Sequence, residues 1–337
     1  MDSKFLSFKK MASLWKLGGL SWVDLGKRVY QESFKDDIFG NAAQLAYYFL
    51  FALFPLLIFL TSIFGFVVGS DSELRDNLFK YLGTVLPGSA SELISTVIKE
   101  VSSSSTGGKL TLGLFLALWA ASSGMEAVNQ ALNKTYNLDE TRSWWKRRLL
   151  ALFLTVSLAL LIITALVIVL FGGQIADWVT ASFGYGEVFR TLWKILQWVV
   201  VLAFVLLAFS LIYYFSPNVR DQKWTWITPG SFIGVALWLL VSFAFRIYLQ
   251  YFDSYSATYG SLGAVIILML WLYFSGVAIL IGGEINSEIE DAAAKAGAPD
   301  AKEKGEKAPG EKKNGGKDRP NQDEKTVDSK KLLTVDK

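Results

Sequence analysis

The sequence predicts an all-α integral membrane protein: six transmembrane helices with amphipathic interfacial helices beside them, and both termini in the cytoplasm. Three observations lead there. Of 337 residues, 52% are hydrophobic and 15% aromatic, and the mean hydropathy is +0.36. The apolar residues are bunched into runs at 42–68, 110–128, 149–172, 195–215, 227–249 and 263–285. Each run is near the ~20 residues that cross a hydrocarbon layer about 30 Å thick. Lys and Arg concentrate in 1–39, 129–148 and 286–337, whereas 250–262 has none. The bias of basic residues toward the cytoplasm then places those segments, and both ends, inside.

Taken in order, residues 1–39 interleave Phe5, Trp15, Trp22 and Tyr30 with Lys9, Lys16, Lys27 and Arg28. No compact apolar core with a small-residue cleavage site follows, so the segment reads as an interfacial helix on an anionic leaflet rather than a signal peptide. The membrane domain then covers 40–290. Its first span contains Pro55, expected to kink the helix. Residues 70–108 read as two short amphipathic helices broken at Pro87-Gly88. The third span is almost purely aliphatic, and 177–194 reads as a loop. The fourth span stops at Ser216-Pro217, and Pro229 sits suitably in the first turn of the fifth. From 291 to 337 the composition of Lys, Glu, Gly, Asp and Pro predicts a disordered cytoplasmic tail.

Chemistry concentrates on the second span. Ser122, Glu126, Asn129 and Asn133 recur at helical spacing and share one narrow face. Glu126 lies roughly 24 Å along the helix from Leu110, a depth at which an acid is costly unless it faces protein or water. Asn41, Gln44 and Tyr48 on the first span, Ser123 on the second, and Glu284 and Asn286 on the sixth fall at the same inner-leaflet level. Together they are the candidates for lining a cavity open to the cytoplasm. The competing reading is that Glu126 and Glu284 snorkel to the interface and cap neighbouring helices.

Small residues at 120–124, Gly276, Gly282 and Gly283 predict that spans two and six touch. That contact would bring Glu126 near Glu284, where a shared proton or cation becomes conceivable; equally, one carboxylate would pair with Arg147 or Lys146. On the outer side, Arg246, Asp253, Tyr255 and Tyr259 are candidates for an ion pair or lipid-phosphate contact, with tyrosine anchoring as the plainer reading. Pro55, Pro229, Gly230, Gly260 and Gly283 are read as residues that shape or closely pack the helices.

The chain contains no Cys and no His. That excludes disulfides, thiolate and imidazole catalysis, and His/Cys metal sites. No catalytic residue, metal or cofactor is expected. The Trp144–Arg148 run WWKRR reads as a membrane anchor, and the tail's lysines alternate with acids, so no nucleic-acid partner is expected. The expected partners are membrane lipids and a lipid or amphipathic substrate; a homo-oligomer is compatible with the sequence.

Four stretches carry a resemblance: LAYYFLFALFPLLIFL (45–60), WAASSGMEAVNQALNKTY (119–136), WTWITPGSFIGVALWLLVSFAFRIYL (224–249) and YGSLGAVIILMLWLYFSGVAILIGGEINSEIE (259–290). In this order they resemble the YihY/BrkB family of bacterial inner-membrane proteins over roughly 30–290, a family formerly labelled ribonuclease BN-like. The resemblance implies a six-helix inner-membrane protein linked to envelope integrity and serum resistance, for which transport of lipids or other envelope components has been suggested. It carries motif positions onto Pro55, Ser122, Ser123, Asn129, Asn133, Pro229, Gly230, Tyr259, Gly260, Gly283, Glu284 and Asn286 without assigning them chemical roles. The leading expectation is a non-enzymatic transporter or flippase-like protein. Its rivals are a cation/proton antiporter using Glu126 and Glu284, and an envelope scaffold acting through the tail. With neither His nor Cys, the residues argue against nuclease activity.

Overall fold

The computed structural model describes residues 15–68, 107–183, 187–219, 227–251, 254–298, 301 and 303–305. Of the amphipathic segment expected at 70–108, residues 70–106 lie outside the described residues, as do Asp253 and the tail from 306. So do the side chains of Tyr255 and Tyr259 and the surroundings of Gly260.

A 3-10 turn, Leu17–Gly19, leads into α1 (Trp22–Lys35). The long helices follow: α2 (Ile38–Val68), α3 (Gly107–Thr135), α4 (Trp144–Phe183), α5 (Glu187–Phe215), α6 (Pro229–Tyr251) and α7 (Ser254–Lys295). Among the described residues there is no strand. Four stretches are long and apolar enough to cross a membrane: Trp144–Gln174, Phe189–Phe215, Pro229–Leu249 and Val265–Lys295; Ile38–Leu53 is a shorter apolar helix.

Cross-helix contacts fix the relative directions. Lys134 reaches Asn41, while Gly124, ten residues earlier on α3, abuts Ala52 farther along α2; α2 and α3 are antiparallel. Gly283 packs on Leu132 and Ser287 donates to the Thr135 carbonyl, so α7 runs parallel to α3. The two helices touch as their small residues predict. Gln197 donates to the Val169 carbonyl and Phe153 stacks edge-on with Phe215, which sets α4 against α5. Gly230 meets Asn286 and Trp271 meets Ser242, which sets α6 against α7. Ala117 clusters with Ala159 and Glu126 pairs with Arg148, which sets α4 antiparallel to α3, so the long helices alternate in direction along the chain.

The core draws on every long helix: Ile38 and Leu45, Val128 and Leu132, Leu154, Tyr213, Val235 and Leu280 are buried together. Outward-facing positions on α4, α5 and α6 are equally apolar, among them Leu149, Phe153, Leu160, Trp198, Leu240 and Phe243. A water-soluble protein would cover such positions with polar groups, whereas a lipid solvent favours them. The chain is a multi-pass helical membrane protein.

Two boundaries differ from the sequence reading. The stretch read as a loop at 177–194 is helical on both sides of 184–186, since nothing before Gly184 breaks the run of helix-compatible residues. And α7 runs ten residues beyond its expected end, to Lys295, because Ile285, Ile289, Ala292 and Ala293 are buried. Ile285 and Ile289 share a small cluster with Leu17 and Leu25. Gly18 makes that contact feasible: at φ +61, a Cβ there would meet the Ile289 carbonyl oxygen at 2.6 Å. Gly297, at φ +81, then closes α7 as the Ala298 N–H bonds the Ala293 carbonyl, and residues 303–305 return to the bundle.

Candidate functional site

The polar side chains collect at one end of the bundle, where α2 begins and α3 and α7 end. A cleft of about 440 Å³ opens there, lined by Lys35, Asp36, Asp37, Asn41, Lys134, Asn137, Leu138 and Asp139. Asn41 is its buried anchor: its amide donates to the Asp36 carbonyl (2.9 Å) and its oxygen accepts from Lys134 Nζ (2.8 Å). Above the cleft, Gln44, Tyr47, Tyr48 and Phe51 are exposed along α2. Their spacing puts them on one side of the helix.

The stripe on α3 is divided among different partners. Ser122 is buried and donates to the Trp119 carbonyl of its own helix (2.7 Å). Glu126 turns to α4, where Arg148 Nη1 reaches it at 3.3 Å and Ser123 Oγ at 3.2 Å. The Arg148 guanidinium also donates to the Trp119 carbonyl and lies 4.1 Å from the Trp119 ring centroid. Asn129 is buried, with neither atom of its amide partnered among the described residues. Asn133 is fully engaged: its amide donates to Glu140 (2.8 Å) and its oxygen accepts from the Asn218 N–H (2.7 Å).

Glu140 completes a latch between the α3–α4 connection and the end of α5. Arg142 grips it through Nε and Nη2 at 2.9 and 2.7 Å and extends Nη2 to the Ser216 carbonyl. Burial opposes the Glu140 charge, but the Arg142 hydrogen bonds outweigh it and hold the carboxyl below its ordinary pKa. A carboxyl depressed on folding stabilises fully above its unfolded value, about pH 4.3, and loses that contribution as pH falls through the lower folded value. Thermal melting of detergent-purified protein should therefore weaken below about pH 4. Glu140→Gln should lose about 1–3 kcal/mol at neutral pH and flatten that acid limb. An unchanged acid limb in the variant would assign the effect elsewhere.

Glu284 does not meet Glu126. It is completely buried and lies with Glu32 and Asp36 of α1 and its C-cap, and with Glu288, around the ammonium of Lys304. The Nζ–O distances are 2.6 Å to Glu284, 3.1 Å to Asp36, 3.3 Å to Glu288 and 3.4 Å to Glu32. Burial pulls the Lys304 pKa down, but Glu284 and then Asp36 outweigh it and leave it above the ordinary lysine value. At Glu32, burial is likewise outweighed, by hydrogen bonds from Lys35 and Lys304 and by their charges, and its carboxyl titrates below its usual range.

Asn286 accepts the Gly230 N–H at 2.9 Å, so it satisfies an orphan donor at the start of α6. Pro229 opens that helix, and Thr228 and Ser231 exchange hydrogen bonds around it. Arg246 is exposed near the far end of α6. Sequence reasoning missed Arg148 and Lys304, and the i,i+4 pairs Glu32/Asp36 and Glu284/Glu288 were the available signal for the cage.

The model of the family described as virulence factor BrkB matches residues 29–308. YfkH of Bacillus subtilis (strain 168), whose name calls it ribonuclease-like, is 35% identical over 74% of this chain and 88% of its own length. A UPF0761 membrane protein of Stenotrophomonas maltophilia (strain K279a) is 27% identical over 79% of this chain, and one of Xanthomonas oryzae pv. oryzae (strain PXO99A) is 24% identical over the same share. The match spans 61% of the length of each of these two relatives. No solved structure matches. With a model match across most of its length, including the α1–α3 and α7 groups just described, the chain belongs to the virulence factor BrkB family.

Proposed function

We propose that this protein is a non-enzymatic transporter of the flippase type, moving a lipid or amphipathic envelope component in the bacterial cytoplasmic membrane. The observation that carries the reading is the polar cleft at the foot of α2, together with an exposed aromatic side farther along the same helix. Lys35 and Lys134 line it together with Asp36, Asp37 and Asp139, a mixed-sign lining suited to a zwitterionic or phosphate-bearing headgroup. Gln44, Tyr47, Tyr48 and Phe51 continue upward as a surface along which an acyl chain lies. In this reading all six long helices span the membrane, both termini are cytoplasmic, and the cleft opens to the cytoplasm. Alternating helix directions and the basic residues clustered near 142–148 support that topology. Pairing of Glu126 with Arg148 and of Glu284 with Lys304 favours a structural role for these acids over proton exchange.

Reconstitution into liposomes, with fluorescent-lipid translocation and a pH-sensitive dye read side by side, tests this. Native protein should accelerate lipid translocation, and Lys134→Ala should slow it about tenfold by removing the cation that organises Asn41. Cation-dependent proton flux without lipid movement would replace the reading with antiport. Inactivity of the native protein in both arms, with folding verified, would leave a scaffold.

A further inference from the structure

We propose that the cage formed by Glu32, Asp36, Glu284 and Glu288 is a divalent-cation site held shut by the chain's own Lys304, so that a Ca²⁺-class ion binds in exchange for the ammonium and releases residues 303–305. The inference stands apart from the transport reading.

Glu32, Asp36 and Glu284 each offer a carboxylate oxygen within 4.8 Å of the others, a spacing on the scale of one hard cation's oxygen shell. A second observation points to a ligand larger in charge than the one present. Glu284 gives Oε1 to Lys304, but its Oε2 is enclosed and has no hydrogen-bond partner among the described residues. An ammonium satisfies one oxygen of that carboxylate; a divalent ion takes both at once. An unpaired buried carboxylate oxygen is costly, so the ion relieves a defect that Lys304 leaves.

The other cations nearby sit at the rim. Arg28 approaches Glu288 at 4.0 Å, Lys35 bonds Glu32 at 3.1 Å and Lys295 bonds Asp291 at 2.6 Å, all three substantially exposed. Lys304 is the enclosed one, 10% exposed. Backbone bonds also tie its segment to the bundle: the Lys304 N–H bonds Asp291 at 3.2 Å, and the Gly305 N–H bonds the Tyr136 carbonyl at 3.1 Å. Asp36 belongs to both the cage and the lining of the open cleft.

The absence of cysteine makes the test clean. Ala301→Cys introduces a single thiol in the returning segment, and its maleimide labelling rate in the full-length protein should rise several-fold with millimolar Ca²⁺. Adding Glu284→Gln and Glu288→Gln should remove that Ca²⁺ dependence. By calorimetry, Lys304→Gln should bind Ca²⁺ at least about fivefold more tightly than native protein, because two ligands that exclude each other are linked reciprocally. Absence of Ca²⁺ binding, or equal binding by the native and Lys304→Gln proteins, overturns the proposal. So does binding that leaves Ala301→Cys labelling unchanged. Should Lys304→Gln fail to fold, the labelling experiment, which keeps Lys304, decides alone.

Discussion

Arg148→Ala will be among the most damaging single substitutions in this protein, costing about 3–5 kcal/mol. Arg148 is 6% exposed and its partner Glu126 is 19% exposed, so truncation leaves a carboxylate in a poorly solvated place with its countercharge gone. The same change removes the guanidinium from the Trp119 ring and strips the Trp119 carbonyl of a donor. Much of this cost belongs to the uncompensated acid rather than to the pair. The double variant Arg148→Met with Glu126→Gln should therefore recover most of the loss. Thermal unfolding in detergent, followed by tryptophan fluorescence, separates these outcomes. If the double variant melts as low as the single one, packing rather than charge explains the site.

Gly230→Ala and Gly282→Ala should each disrupt the α6–α7 contact. A Cβ on Gly230 would press into the Gly282 carbonyl oxygen and the Asn286 side chain. One on Gly282 would press into the Tyr213 hydroxyl and lie 2.7 Å from the Gly230 carbonyl oxygen. Backbone does not yield as a flexible side chain does, so the helices must separate, at about 1–3 kcal/mol or more for the overpacking. Separation also threatens the Gly230–Asn286 bond and the hydrogen bond from Tyr213 to the Ile279 carbonyl, worth about 1 kcal/mol each. Gly173→Ala is the control, because nothing lies within 4 Å of its added methyl; it should be neutral or mildly stabilising. Melting temperatures ranked in any other order would show that the α6–α7 approach is not tight.

The helices were legible in the sequence because hydropathy and length determine what can sit in lipid, and the α3–α7 contact because small residues mark close approach. The partners of the acids were not. Arg148 lies in WWKRR, a pattern that looks the same whether its last arginine reaches outward to headgroups or inward to Glu126. Lys304 sits in a Lys/Glu/Gly/Ala segment whose composition argues for disorder. Composition averages over residues, whereas here one ammonium is captured by carboxylates that α1 and α7 bring together across more than 250 positions. Gln44 and Tyr48 shared a predicted level with Asn41, but level does not fix azimuth: Asn41 turns inward while the other two face out.

Helix α7 is 42 residues long, and it packs against α1, α2, α3 and α6. It follows all of these helices in the chain and so leaves the ribosome after them. The earlier helices must therefore wait in the bilayer with their shared surface unfilled, and the interior closes only once α7 has been made. Assembly of this bundle is in that sense governed by a rod that arrives late, to which the turn at 17–19 and Lys304 then fasten.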